Sequence, residues 1–259
     1  MQKGIKAAAL QFNIALGDID TNLAYVTGKL RQLSQQGVEL AVLPEMWGCG
    51  FAYRELNRLA QHTPQLVEKL QGLSAEFSMT IVGSLPEPHG EKVFNTAYVV
   101  DRGKLAGSYR KMHLFGLMGE DRHLDRGDSV CLLDTSVGKL GVMICYDLRF
   151  PELARRLAVD GADIIVVPGE WPKPREEHWR TLIRARAIEN QLFVVAANTC
   201  GVIGKLDFFG SSLIVGPKGE LLAEGGYENC EPTALLDPAE VVTWRQSINC
   251  FQDRRPECY

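Results

Sequence analysis

Residues 141–157 read GVMICYDLRFPELARRL, and no other stretch limits the fold as much. The apolar run at 141–144 has the length and bulk of a buried strand. A polar corner follows at 145–150. Pro151 then opens an amphipathic segment, at the first helical position, where its missing N–H costs nothing. Strand, corner and helix in that order are one unit of an α/β layer. Cys145 stands at the strand's carboxyl end, where the strand fixes it, the corner exposes it and the nearby helix N–H groups favour the thiolate. A small thiol filling the core is an equal reading of this stretch alone.

The same grammar recurs along the chain. A first strand is expected over 5–12. A helix capped by Asp18 or Asp20 carries Leu23, Val26, Leu30 and Leu33 and stops at Gly37. A short buried strand at 40–43 runs into Pro44-Glu45. A helix over 63–77 precedes a strand over 79–85. Strands at 95–100 and 104–110 meet at Asp101-Arg102-Gly103, a hairpin signal. A second hairpin joins 130–133 to 140–144. Beyond the Pro151 helix come a strand at 163–168, a helix at 176–190 and a strand at 192–197. Strands at 211–215 and 220–223 pair across Pro217-Lys218-Gly219. A late strand begins at Leu235, followed by a short helix at 238–245 and a polar tail. No linker-like tract interrupts this alternation, which predicts one α/β domain over residues 1–259 with a mixed sheet or a pair of sheets.

Composition matters here mainly for what it excludes. A formal net charge of −4 leaves no broad basic footprint for nucleic acid. No apolar run is long enough to span a membrane, and the N-terminus carries no convincing secretory signal. Seven cysteines, an odd number without CxxC spacing, argue against a disulfide framework or zinc ribbon and for a reducing, cytoplasmic setting. His113, His123, Cys131 and Cys145 match no familiar metal-ligand spacing, so no metal or cofactor is expected.

Three expected strand ends carry reactive side chains: Glu45, Lys111 and Cys145. A thiol is mostly protonated at neutral pH, so a nearby carboxylate has to take its proton during attack on a carbonyl. An ammonium and the backbone N–H after the nucleophile can then hold the oxyanion. Singly, each has a plainer reading. Glu45 reads more readily as a solvated loop carboxylate. Lys111 sits in a basic pair with Arg110 that suits a solvated surface. His113 offers a Cys–His dyad, though a hydrogen-bonded structural histidine is the commoner case. Glu120 and Asp121 lie in a stretch that reads as irregular, and the pattern alone does not separate a site carboxylate from a surface charge.

Taken together, LPEMW at 43–47, YRKMHLF at 109–115 and ICYDLRFPELAR at 144–155 resemble the three signature blocks of the nitrilase superfamily of carbon–nitrogen hydrolases, in order and separation. Supporting blocks at 167–171, 184–190 and 210–212 extend the likeness over nearly the whole chain. The resemblance implies a nitrilase-like α-β-β-α sandwich that dimerises through its helical face. It also implies a Glu45-Lys111-Cys145 triad, with Glu120 in the place of a second site glutamate. Trp171-Pro172-Lys173-Pro174-Arg175, then His178-Trp179 and the ARAIENQ helix, are most similar to the omega-amidase branch, which acts on the terminal amide of small α-keto dicarboxylate monoamides.

The expected reaction is acyl transfer from the amide to water through a thioester on Cys145, with Lys111 and the Tyr146 N–H holding the oxyanion. Trp47, Phe51, Tyr53, Phe115, Glu170 and Trp171 are candidate substrate contacts, each of which also reads as wall or core packing. Arg149 suits a substrate carboxylate or a structural pair with Asp147. Arg184, Arg186 and Glu189 read as a structural ion-pair set. Other readings are a nitrilase or carbamoyl-amine hydrolase using the same triad, a Cys–His thiol hydrolase, and a non-catalytic binding protein that kept the fold.

Overall fold

The apolar runs that end on polar corners become the inner strands of two stacked sheets. The computed structural model describes residues 4–258. The first half of the chain forms β1 (Ile5–Ala9), α1 (Ile19–Gln35), β2 (Leu40–Val42), α2 (Leu56–Ala60), α3 (Thr63–Phe77), β3 (Thr80–His89), β4 (Lys92–Asp101) and β5 (Lys104–Arg110). Then come α4 (Glu120–His123), β6 (Leu132–Thr135), β7 (Gly138–Val142), α5 (Pro151–Val159), β8 (Ile164–Pro168), α6 (Glu176–Asn190) and β9 (Phe193–Ala197). The rest is β10 (Cys200–Ile203), β11 (Leu206–Phe209), β12 (Leu213–Val215), β13 (Leu221–Glu224), β14 (Thr233–Leu236) and α7 (Pro238–Ser247).

One six-stranded sheet runs β14-β1-β2-β3-β4-β5, the other β13-β12-β9-β8-β7-β6. The central triplets β1-β2-β3 and β7-β8-β9 are parallel, and the outer pairings are antiparallel. Strand periodicity assigns the faces. Ala7, Ala9, Leu40 and Val42 point into the core shared with the second sheet. Ala8, Leu10, Ala41 and Leu43 point the other way, against Val26, Leu30 and Leu33 of α1 and Leu66 and Leu70 of α3. On the second sheet, Leu153 and Leu157 of α5 and Ile183 and Ala187 of α6 cover the outer face. The result is the α-β-β-α sandwich. Truncating one of these buried leucines to Ala would cost about 2–5 kcal/mol. The Asp18 carboxylate accepts from the Thr21 N–H at 3.0 Å and caps α1, as its position in the sequence suggests.

The departures from the sequence reading have local causes. β1 ends at Ala9, although Gln11 still makes an isolated bridge to Cys230. β3 continues to His89 through Pro86 and Pro88, pairing them with Asn95 and Val93 of β4. Proline is tolerated there because β2 pairs only with Thr80, Ile81 and Val82, so at Pro86 and Pro88 no strand on that side needs an N–H from β3. The small β10–β11 hairpin is absent from the sequence reading because each of its strands is only four residues long, too short to show a period. α4 is one helical turn within the stretch that reads as irregular, and β14 starts at Thr233 rather than Leu235.

Candidate active site

β4 runs antiparallel to β3 and β5 antiparallel to β4, so β5 points the same way as β2. The carboxyl ends of β2 and β5 therefore share one rim of the first sheet. Those of β7 and β8 meet them from the second sheet, where the Glu45 N–H donates to the Gly169 carbonyl at 3.2 Å. Glu45, Lys111, Cys145 and Glu170 all lie just past these ends. Gly169 also makes room for Trp179 of α6: a Cβ there would sit 2.7 Å from its Cη2.

At the centre is the Lys111 ammonium, fully buried. It donates to Glu45 Oε1 at 2.6 Å and to the two Glu120 oxygens at 2.8 and 2.7 Å. Glu45 is also fully buried. Its Oε1 accepts from Asn95 Nδ2 at 2.7 Å and its Oε2 from the Glu170 N–H at 3.0 Å. Burial alone would pull the lysine down, but Glu120 and Glu45 outweigh it and hold the ammonium well above the usual lysine range. Burial pushes Glu120 up to about 7, against the pull of Lys111 and with Glu45 adding to the rise. Asn95 was not identified from the sequence, since an amide inside a strand leaves no motif.

Cys145 adopts a left-handed backbone conformation, φ 46°, at the start of a 3₁₀ turn over Cys145–Arg149. A non-glycine residue there is strained, a feature concentrated at functional sites. Its thiol faces the Glu45 carboxylate, which acts on it as both a charge and a hydrogen-bond acceptor. Burial, and then Glu45, push the thiol well up, with Lys111 opposing. This corrects the expectation of a thiolate favoured by helix N–H groups: α5 starts only at Pro151, and desolvation wins. The resting sulfur carries its proton.

Cys145, Tyr146, Phe115, Met118, Arg149, Glu170, Trp171, Pro172 and Arg175 line a narrow cleft. Five of the expected contacts (Tyr146, Phe115, Arg149, Glu170 and Trp171) therefore lie around the thiol. Arg149 lies 4.8 Å from the Trp171 ring and Arg175 5.1 Å from that of Phe115, so two cations flank the aromatic walls. Trp47 is a correction. It is fully buried in the layer between the first sheet and its helices, behind Gly83 and Leu43, and does not reach the cleft. Tyr53 is drawn in from its loop and feels Glu120, Glu45 and Glu170, while Phe51 packs on its ring at 5.6 Å.

The alternative partners resolve as well. Asp147 does not pair with Arg149. It accepts from the Ile144 N–H at 2.9 Å, Tyr109 Oη at 2.8 Å and the His113 N–H at 3.1 Å. The His113 ring also meets Asp147 Oδ1 through Nδ1 at 2.7 Å and stacks on Phe150 at 3.6 Å, so it braces the corner. Arg186 donates to the Leu148 carbonyl and pairs with Glu189, supporting the same turn from α6. Cys49 lies in the small cluster of Met46, Leu56, Leu59 and Leu114, its thiol pushed up to about 12 by burial. Among the described residues, no group of His, Cys, Asp and Glu could hold a metal ion.

The carbon-nitrogen hydrolase family pattern matches residues 6–246. A 2-oxoglutaramate amidase of Bacillus subtilis (strain 168) is 36% identical over 255 residues, covering 97% of this chain and 98% of that protein. An omega-amidase of Bos taurus is 33% identical over 250 residues, covering 92% of this chain and 91% of its own. A solved glutamate-to-glutamine mutant of an amidase from Nesterenkonia sp. AN1, with the acetamide moiety of fluoroacetamide added covalently at its active-site cysteine, superposes with a TM-score of 0.88 at 30% identity, covering 99% of this chain and 95% of that one. The chain thus belongs to the carbon-nitrogen hydrolase family, the nitrilase superfamily, and is an enzyme of that class with omega-amidase relatives.

Proposed function

We propose that residues 1–259 act as one hydrolase domain that converts the terminal amide of a small 2-oxo dicarboxylate monoamide to acid and ammonia. Glu45 takes the Cys145 proton as sulfur attacks the amide carbon. The Lys111 ammonium and the Tyr146 N–H hold the oxyanion. The C–N bond breaks as Glu45 returns the proton to nitrogen, and ammonia leaves a thioester on Cys145. Water then attacks, Glu45 receives its proton, and the C–S bond breaks to give the carboxylic acid and the thiol. Glu120 keeps Lys111 charged and aimed. None of these steps calls on a cofactor.

The observation carrying this reading is the Lys111 ammonium clamped between Glu45 and Glu120 beside a buried, protonated thiol. A protonated nucleophile needs a base, and a fully buried lysine cannot be a solvated surface charge. For the substrate, support comes from the two cations at the cleft mouth, which suit a carboxylate, and from the 36% identity to a 2-oxoglutaramate amidase. Ammonia release from 2-oxoglutaramate, succinamate, simple aliphatic nitriles and carbamoyl amines tests it. Turnover confined to nitriles or carbamoyl amines refutes it.

We also propose a cytoplasmic homodimer. All seven cysteines are free, which suits a reducing compartment. Val159 of α5 and Ile188 of α6, the helices that cover the second sheet, are exposed, apolar positions suited to a second copy.

A further inference from the structure

Glu170 has no assigned partner for its side chain. Its backbone N–H serves Glu45, yet the residue is 2% exposed, lines the cleft beside Cys145, and leaves its Oε2 buried without a hydrogen bond. Two other buried oxygens of the site are also unpartnered, Asn95 Oδ1 and Tyr53 Oη; Tyr53 is close enough to feel Glu170, but the two do not bond each other. Buried polar atoms left unpaired are costly, so such an atom on a residue that lines the cleft beside the thiol points to a partner that arrives with the substrate.

Charge decides what kind of partner this is. Burial pushes Glu170 well up, and the Glu45 and Glu120 carboxylates push it further, with Lys111 too weak to offset them. A neutral carboxyl is a hydrogen-bond donor as well as an acceptor. A carboxyl O–H on a residue lining the cleft calls for an oxygen acceptor on the ligand. The reacting carbonyl is already served by Lys111 and the Tyr146 N–H, and the far carboxylate by the guanidinium groups at the mouth. The oxygen that remains lies between them.

We propose that Glu170 is a specificity-determining residue whose carboxyl O–H donates to a 2-oxo oxygen of the substrate, selecting 2-oxo acid amides over their deoxo analogues and over 2-amino acids. A 2-ammonium group offers no acceptor and meets Arg149 and Arg175 as like charge. The inference rests on the amide hydrolysis proposed above and adds to it the reason for the 2-oxo preference.

The test compares kcat/KM for 2-oxoglutaramate and glutaramate, which differ only in the 2-oxo group and share the amide and carboxylate. One neutral hydrogen bond to a buried donor predicts a wild-type preference of about ten- to a hundredfold for 2-oxoglutaramate, with glutamine poorer still. Glu170→Leu should bring the ratio of the two substrates close to one. Glu170→Gln, which keeps a neutral donor, should retain most of the preference, and this rescue is what a merely structural role would not give. A wild-type ratio near one overturns the inference while leaving the amidase reading intact. Absence of turnover on both ω-amides sinks the amidase reading instead. Equal losses on both substrates in Glu170→Leu, or a Glu170→Gln ratio as flat as that of Glu170→Leu, also overturn the role of Glu170. Should Glu170→Leu fail to fold, the wild-type and Glu170→Gln ratios decide the question alone.

Discussion

Replacing Lys111 with Met removes one charge and leaves two buried carboxylates facing each other. In the native site the ammonium makes three contacts of 2.6–2.8 Å, and every partner is buried. Removing one member of such a group costs about 3–5 kcal/mol, because the remaining charges lose their compensation. For a chain of this size 1 kcal/mol corresponds to about 2–4 °C, so the melting temperature should fall by about 6–20 °C. Proton uptake by one carboxyl limits the loss and favours the lower half of that range. Removing one carboxylate as well should relieve part of the damage: Lys111→Met/Glu120→Gln should be more stable than the two single effects add up to, by about 1–3 kcal/mol. Thermal and urea unfolding of the four proteins gives this cycle directly. Ammonia release should also drop by at least about a hundredfold in kcat, with little change in KM, since the ammonium acts on charge that develops in the transition state. A Lys111→Met protein that melts within a degree or two of wild type refutes the view that a charged, interdependent cluster organises this site.

Three other outcomes are expected. Cys145→Ala should lose turnover and keep its fold, because thiol to methyl is a small change. In the wild-type protein, quenched turnover should leave an acyl mass on the Cys145 peptide, and an adduct on Cys49 or Cys200 instead would overturn the nucleophile. Asn95→Leu removes the 2.7 Å donor on Glu45 Oε1 and should lower kcat by about ten- to a hundredfold, the worth of one hydrogen bond to a charged group; an unchanged kcat removes Asn95 from the mechanism. Glu120 sits at about 7 in the folded protein, above the ordinary 4.5, so the native state keeps a proton that the unfolded chain has released. That contribution to stability is fully present below pH 4.5 and is lost as the pH rises through about 7. Glu120→Gln should therefore lose less stability than wild type between about pH 5 and 7.5 in urea titrations, and parallel profiles would contradict this.

The sandwich was legible in the sequence because its inner strands are short apolar runs that end on polar corners, and a run such as Ile164–Pro168 has few other uses. The β3–β4 hairpin is not legible: the sequence predicts separate strands at 79–85 and 95–100, and Pro86 and Pro88 look like breakers until β3 is seen to lack a strand partner on its other side there. Glu45, Lys111 and Cys145 stood out as strand ends and as positions in the three signature blocks, and strand ends on one rim of stacked sheets converge. Asn95 escaped because it lies inside β4, where only the three-dimensional register brings it to Glu45. Trp47 failed the other way: its place after Glu45 suggested a cleft wall, but a left-handed turn at Met46, φ 49°, sends the following residue into the helical layer. Whether a residue beside a catalytic position faces the cleft depends on one backbone angle, and single-sequence periodicity carries no record of it.

The site holds three buried carboxyl groups and one ammonium, so it cannot be neutral with every carboxyl ionised. The donors are shared unequally. Glu45 collects Lys111, Asn95 and the Glu170 N–H; Glu120 has both oxygens on Lys111; the Glu170 side chain has no donor and an oxygen with no partner at all. Environments that push like groups apart are how one pocket gives identical side chains different tasks. On that logic the carboxyl richest in donors handles protons, the one gripping the ammonium positions it, and the one left bare waits for an acceptor on the ligand. The distribution also explains why the sulfur keeps its proton at rest. A thiolate beside Glu45 would add a further negative charge to a site whose single cation is already shared by two carboxylates, so sulfur can release its proton only as the proton passes to Glu45 and the new negative charge moves onto the substrate oxygen.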